Sequence, residues 1–151
     1  MQRGNYKTAT EVFRLGGGGG QQYNNQQQTT TQSSNKVDLS DPKSWGPSFW
    51  FTLHNGANHY PENPTSHTME YMKGFIEGIP VMLPCSVCSE HARVYIDRMK
   101  LENKLNDAVM SRENLFTFFW SFHNSVNTRT GKPEISLDSA KTMYMYNVKK
   151  V

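Results

Sequence analysis

Cysteine is scarce in this chain of 151 residues; it has two, Cys85 and Cys88. Two thiols cannot make the disulfide scaffold of a small secreted domain. Long apolar runs are missing too, and no stretch reaches the roughly eighteen apolar residues that a membrane-spanning helix needs. The first residues, MQRGNYKTATEVFRL, lack the apolar core of a secretory signal. The expectation is a soluble, cytoplasmic protein of a reducing compartment with no membrane span. Charge of one sign is also lacking. The net charge is +3, and most of it comes from Arg3, Lys7, Arg14 and Lys36 against Glu11 and Asp38 near the N-terminus. The rest is nearly neutral and has no clustered basic face, so no nucleic-acid partner is expected.

An apolar fraction of 36% and a mean hydropathy of −0.70 are low for a globular protein. They average two unlike parts. Residues 1–40 hold the run Gly16 to Gly20 and then QQYNNQQQTTTQSSN. Such a Gly/Gln/Asn/Thr-rich tail cannot bury enough surface to offset chain entropy, and it reads as a disordered tether. Residues 41–151 contain all three tryptophans, both cysteines and seven of the eight phenylalanines, and form the folded domain.

Within that domain the apolar pattern is helical. Asp41 or Ser44 can cap a first helix with Pro47 in its first turn, and Trp50, Leu53, His54 and Ala57 form its stripe. Pro61 and Pro64 follow it. A second helix begins at Thr65 or Ser66, runs through Met69, Met72, Phe75, Ile76 and Ile79, and is expected to stop at Pro80. A third follows Pro84, carries both cysteines in its first turn and ends near Leu101. Leu115 to Asn127 makes a fourth, and a short fifth starts at Ser136. No segment alternates as a strand. The expected class is all-α.

The pair C-x-x-C at a helix N-terminus has a chemical logic. Free backbone N–H groups and the positive end of the helix dipole lower the pKa of the first cysteine, and one turn brings the sulfurs together. The residues alone leave three readings: a redox couple, half of a zinc site with His91 and His123, or two structural cysteines. A thioredoxin-type fold is disfavoured, because it needs strands. The second constellation is WSFHNSVNTRTGK, Trp120 to Lys132. Phe116, Phe119, Trp120, His123 and Asn127 share a helical face that suits a flat heteroaromatic ligand, and Arg129 and Lys132 suit phosphate.

Four blocks resemble the Erv/ALR family of FAD-linked sulfhydryl oxidases: WGPSFWFTLH (Trp45 to His54), HYPENPT (His59 to Thr65), LPCSVCSEH (Leu83 to His91) and HNSVNTRTGK (His123 to Lys132). Their order and spacing fit across residues 43–146, and the scarcity of cysteine is most similar to the compact versions of large DNA viruses. The resemblance implies a four-helix bundle with a fifth short helix packed across it. It implies FAD as cofactor, a dithiol protein, thioredoxin-like in kind, as substrate, dioxygen as acceptor with hydrogen peroxide as product, and a homodimer. If the source is viral, the setting would be host cytoplasm or virion.

Residue by residue, the resemblance makes Cys88 the flavin-proximal thiol and Cys85 the thiol open to substrate. It assigns FAD contacts to Gly46, Trp50, His54, Tyr60, Cys88, His91, His123, Asn124, Asn127, Lys132 and Tyr144. Three departures stand out. Thr130 takes the place of a leucine, His59 that of a tyrosine, which leaves open whether His59 or Tyr60 makes the contact, and no second cysteine pair exists. The alternatives are a zinc-stabilised interaction module built on Cys85, Cys88, His91 and His123, and a flavin-free disulfide carrier.

Overall fold

A computed structural model describes residues 37–145. Among them are six helices and no strand: α1 (Pro42–Asn58), α2 (Ser66–Met82), α3 (Ser86–Leu101), α4 (Lys104–Ala108), α5 (Arg112–Arg129) and α6 (Leu137–Met145). The expected all-α bundle is present. α1 packs along α5, α2 packs along α3, and the short α6 lies against both α1 and α5. The five-residue α4 is an addition the apolar pattern did not show. It is entered through Asn103, whose φ of 60° is left-handed, a conformation asparagine tolerates better than most residues.

Most of the tail expected over residues 1–40 lies outside the described residues. Its last members form a turn on α1. The Asp38 carboxylate accepts from the backbone N–H and the hydroxyl of Ser40 at 2.9 and 2.7 Å, and Trp45 Nε1 donates to the Ser40 carbonyl at 3.3 Å.

Side-chain caps fix where the long helices begin. Asp41 accepts from Lys43 N–H at 2.9 Å, Thr65 from Thr68 N–H at 3.2 Å, and Ser111 from Asn114 N–H at 3.2 Å. Each satisfies an N–H left free by the helix start and contributes about 1 kcal/mol.

Two proline expectations are corrected. Pro47 sits in the second turn of α1, inside the helix, not in the first. Pro80 does not stop α2, which continues to Met82. A proline in a last turn removes one backbone bond, and the burial of Ile76, Ile79 and Pro80 holds the turn in place. The real stop is Pro84, whose ring drives Leu83 to the extended conformation (φ −75°, ψ 124°).

The core runs along the middle of the bundle. Leu53 and Ala57 of α1, Ile76 and Ile79 of α2, Ile96 of α3, and Leu115, Phe116 and Phe119 of α5 are all at most 2% exposed. Burying each large side chain stabilises the fold by about 1.5–3 kcal/mol. Beyond α1 the core is closed by Tyr60. Its hydroxyl donates to the Val109 carbonyl at 2.9 Å, and its own carbonyl accepts from Arg112 Nε at 2.8 Å.

Candidate active site

The three-residue link between α2 and α3 ends in Cys85, the N-cap of α3. Its Sγ accepts from the Cys88 backbone N–H at 3.2 Å, in the role that Asp41, Thr65 and Ser111 play for the other long helices. Cys85 and Cys88 are joined as a disulfide, with Cα atoms 5.2 Å apart. The start of α3 is held to the end of α2 by the Ser89 hydroxyl, which donates to the Pro80 carbonyl at 2.7 Å.

The disulfide opens on a cavity of about 750 Å³ between the N-terminal half of α1, the start of α3 and the C-terminal half of α5. Its wall is aromatic. Trp50 stacks on His123 with ring centroids 4.0 Å apart and planes 5° from parallel, and Phe122 meets Trp50 edge-on at 5.3 Å. Gly46 is buried in this wall. A Cβ built on it meets no atom within 4 Å, so the space above its backbone belongs to the cavity.

Behind the wall is a second layer. His54, fully buried, stacks on Tyr144 at 4.2 Å, and its Nε2 lies 3.3 Å from His123 Nδ1. One of these two nitrogens carries the hydrogen and the other accepts it. His123 Nδ1 is thus engaged inward, which leaves Nε2 as the ring nitrogen available to a ligand. Burial pushes both rings down from 6.5 to about 4, and repulsion adds to it, from the Lys132 ammonium for His123 and, once it takes a proton in acid, from the His123 ring for His54. Both are neutral at pH 7. Asn58 donates to the Tyr144 carbonyl at 2.8 Å and so ties α6 to α1.

The loop after α5 brings cations to the cavity. Gly131, with φ +69°, makes a left-handed turn that favours glycine, and Lys132 N–H then donates to the Asn127 carbonyl at 2.8 Å. Asn124 holds the far side of this loop. Its amide donates to the Ile135 carbonyl at 2.8 Å, and its Oδ1 accepts from Ile135 N–H at 3.0 Å, while Trp120 Nε1 reaches the same carbonyl at 2.7 Å. Lys43, Arg129 and Lys132 all line the cavity.

The structure therefore gathers Gly46, Trp50, Cys85, Cys88, His123, Asn127, Lys132 and Tyr144 around one space. Four other residues expected at the site stand apart from the cavity lining. His54 backs it, Asn124 clamps the loop, Tyr60 lies in the core with its hydroxyl on Val109, and His91 is exposed on α3. His59 is exposed as well, with its ring on the Asn55 carbonyl. Among residues the sequence reading passed over, Phe49 was findable, since it follows Trp45 by four along α1. Ile135 was not, because a loop delivers it. The zinc alternative gains nothing. A disulfide offers no thiolate, and among the described residues no three His, Cys, Asp or Glu side chains are grouped to hold a metal ion.

Comparison with known proteins agrees with this geometry. The Erv1 / Alr family model matches residues 47–146. The chain is 45% identical over 104 residues to a protein of Invertebrate iridescent virus 3 that is named provisionally as an FAD-linked sulfhydryl oxidase. The match spans 69% of this chain and 66% of that protein. A counterpart in Invertebrate iridescent virus 6, named in the same way, is 41% identical over 107 residues, 70% of this chain and 96% of its own length. Among solved structures, the yeast Erv1 core superposes with a TM-score of 0.64 at 26% identity, covering 80% of this chain and 98% of that one. The chain belongs to the Erv1 / Alr family.

Proposed function

We propose that this protein is an FAD-dependent thiol oxidase, which oxidises cysteine pairs of protein substrates through Cys85 and Cys88 and passes the electrons to dioxygen, giving hydrogen peroxide. One observation carries the reading: a C-x-x-C disulfide at a helix N-terminus opens on an aromatic cavity of about 750 Å³. That is the size of an ordinary ligand site, about 300–1,000 Å³. The residues present fit FAD. The bare backbone of Gly46 leaves room for a ring, Trp50 and His123 offer flat walls, and Lys43, Arg129 and Lys132 suit a pyrophosphate. When bound, FAD supplies the two-electron relay from the cysteine pair to dioxygen.

The chain's own residues perform the thiol exchange. A substrate thiolate attacks Cys85 Sγ; a substrate–Cys85 bond forms, the Cys85–Cys88 bond breaks, and Cys88 leaves as thiolate facing the cavity. A second substrate thiolate then attacks the first substrate sulfur. The substrate departs as a disulfide, its two thiol protons go to solvent, and Cys85 is left as thiolate. The Cys88 N–H and the helix dipole stabilise that thiolate. It is therefore poised to close on Cys88 once two electrons have been withdrawn. Neutral His54 and His123 keep the wall behind the reaction free of positive charge at pH 7.

Both cysteines of the chain are in this pair, so no internal shuttle disulfide can relay electrons to it. The substrate is accordingly a separate dithiol protein, thioredoxin-like in kind, that reaches Cys85 directly. Two chains pair through the outward faces of α1 and of the first three turns of α2, where Phe51, Tyr71 and Phe75 are exposed. Light scattering showing a monomer would remove this last element alone.

The purified protein should be yellow and should consume oxygen with a small dithiol. Cys88→Ser should stop turnover and keep the flavin. A colourless protein, or oxygen uptake that survives Cys88→Ser, would sink the reading. A flavin-free carrier would take up no oxygen at all.

A further inference from the structure

Between Glu77 and Glu90 the chain carries no charged residue, and the disulfide lies inside this interval. Three of the large apolar side chains that the fold leaves exposed fall there: Val81 at 87%, Met82 at 72% and Val87 at 59%. Single exposed apolar residues need no explanation; a group of them at a reactive bond does. Consecutive Cα atoms are 3.8 Å apart, so Met82 is within about 11 Å of Cys85 and Val87 within about 8 Å. Val81 and Met82 end α2 and do not line the cavity, so a ligand filling that cavity leaves them uncovered.

We propose that Val81 and Met82 form a docking collar for the protein substrate, and that the collar selects cysteines flanked by apolar residues in an extended segment. The inference rests on the oxidase reading above and names the kind of chain that reading requires. Continuity identifies the occupant. In the mixed disulfide a substrate sulfur is bonded to Cys85, and the residues flanking that sulfur must then lie over the neighbouring surface. Here the chain on either side of Cys85 offers methyl groups and a thioether, with Pro84 exposed between them and no charged side chain from Gly78 to Ser89. Apolar flanks gain by leaving water there, whereas acidic or basic flanks lose hydration and find no partner. The Met82 side chain, unbranched and polarisable, adapts to different apolar shapes, which suits a surface that meets several sequences.

The test compares two dithiol peptides of equal length, one with leucine and isoleucine beside its cysteines and one with aspartate and serine. Oxygen consumption is measured with the FAD-loaded full chain and with the Val81→Ser/Met82→Ser variant. The apolar peptide should have a kcat/KM about tenfold higher with the native chain and less than about twofold higher with the variant, the difference expected for covering two modest apolar side chains. Oxidation of dithiothreitol, which is too small to reach the collar, should be unchanged in the variant. Equal kcat/KM for the two peptides, or an undiminished preference in the variant, overturns the collar alone. A change of oligomeric state in the variant with the preference intact assigns the face to a second copy of the chain and also overturns it. Failure of the native chain to oxidise dithiothreitol overturns the oxidase reading, and the collar with it.

Discussion

The two halves of α1 both carry an apolar stripe and do different work. Toward its C-terminus Leu53 and Ala57 are sealed in the core at 2% and 1% exposed. Every neighbour is a side chain of this protein. Toward its N-terminus Phe49 and Trp50 are half-buried, and Gly46 has open space above it. Apolar surface is collected in both halves, but only in the N-terminal half is part of it left facing a cavity. An aromatic stripe on a helix therefore marks burial and does not say by what. The opposing residue decides: Phe116 and Leu115 of α5 complete the solid half, while the start of α3 stands off from the hollow half and presents a disulfide to it.

This contrast can be broken most directly at the disulfide. Cys88→Ser should reduce oxygen consumption with a small dithiol by about ten-thousandfold or more, the scale of losing a nucleophile, with flavin absorbance retained. Next comes the solid half. Phe116→Ala should cost about 3–5 kcal/mol in denaturant unfolding, whereas Phe49→Ala, half-buried at the cavity, should cost about 1–2 kcal/mol. Equal costs would mean that the two halves are packed alike.

Acid should also tell the halves apart, because the titrating groups form and back the cavity wall. His54 and His123 titrate near 4 in the folded chain and near 6.5 when unfolded. Between these values the unfolded chain binds more protons, so stability falls as pH drops from about 6.5 to about 4 and gains nothing from these groups above 6.5. Melting temperatures across that range check it, and His123→Asn should flatten the slope.

Smaller effects sharpen the comparison. Gly46→Ala meets no atom of the protein, and in a helix alanine is favoured over glycine by about 0.5–1 kcal/mol. The FAD-free chain should melt higher while FAD binds about tenfold more weakly, as its methyl group takes ligand space. Opposite signs in the two measurements locate the cavity. Tyr60→Phe removes the bond to the Val109 carbonyl and should cost about 1 kcal/mol. Flavin content should not change; a loss would move Tyr60 from the core to the cofactor.

Much of this was legible before any coordinates. The 3.6-residue stripes announced four long helices, and Pro84 before a C-x-x-C placed the cysteines at a helix start. Family resemblance put His123, Asn127 and Lys132 with them. Where the structure departs from the local pattern, one cause recurs. Pro80 is a helix breaker by propensity, yet the burial of Ile76 and Ile79 outweighs one missing backbone bond. Tyr60 and Asn124 belong to quoted motifs, but whether a polar side chain meets a ligand or a neighbouring carbonyl depends on what packs opposite it. For Tyr60 that is Val109, and for Asn124 it is Ile135, eleven residues on. The short α4 has too few residues to show a period.

By itself the chain of residues determined the helical class, the nearness of two sulfurs within one turn, and the family, since these depend on local spacing and on residue order. Tertiary structure decided where protein leaves off and cavity begins. It paired the His54 and His123 rings, held Lys132 beside them by a clamp from Asn124, and left Gly46 facing empty space. Those outcomes arise from packing between helices far apart in sequence, and local periodicity carries no record of the distance between two such faces.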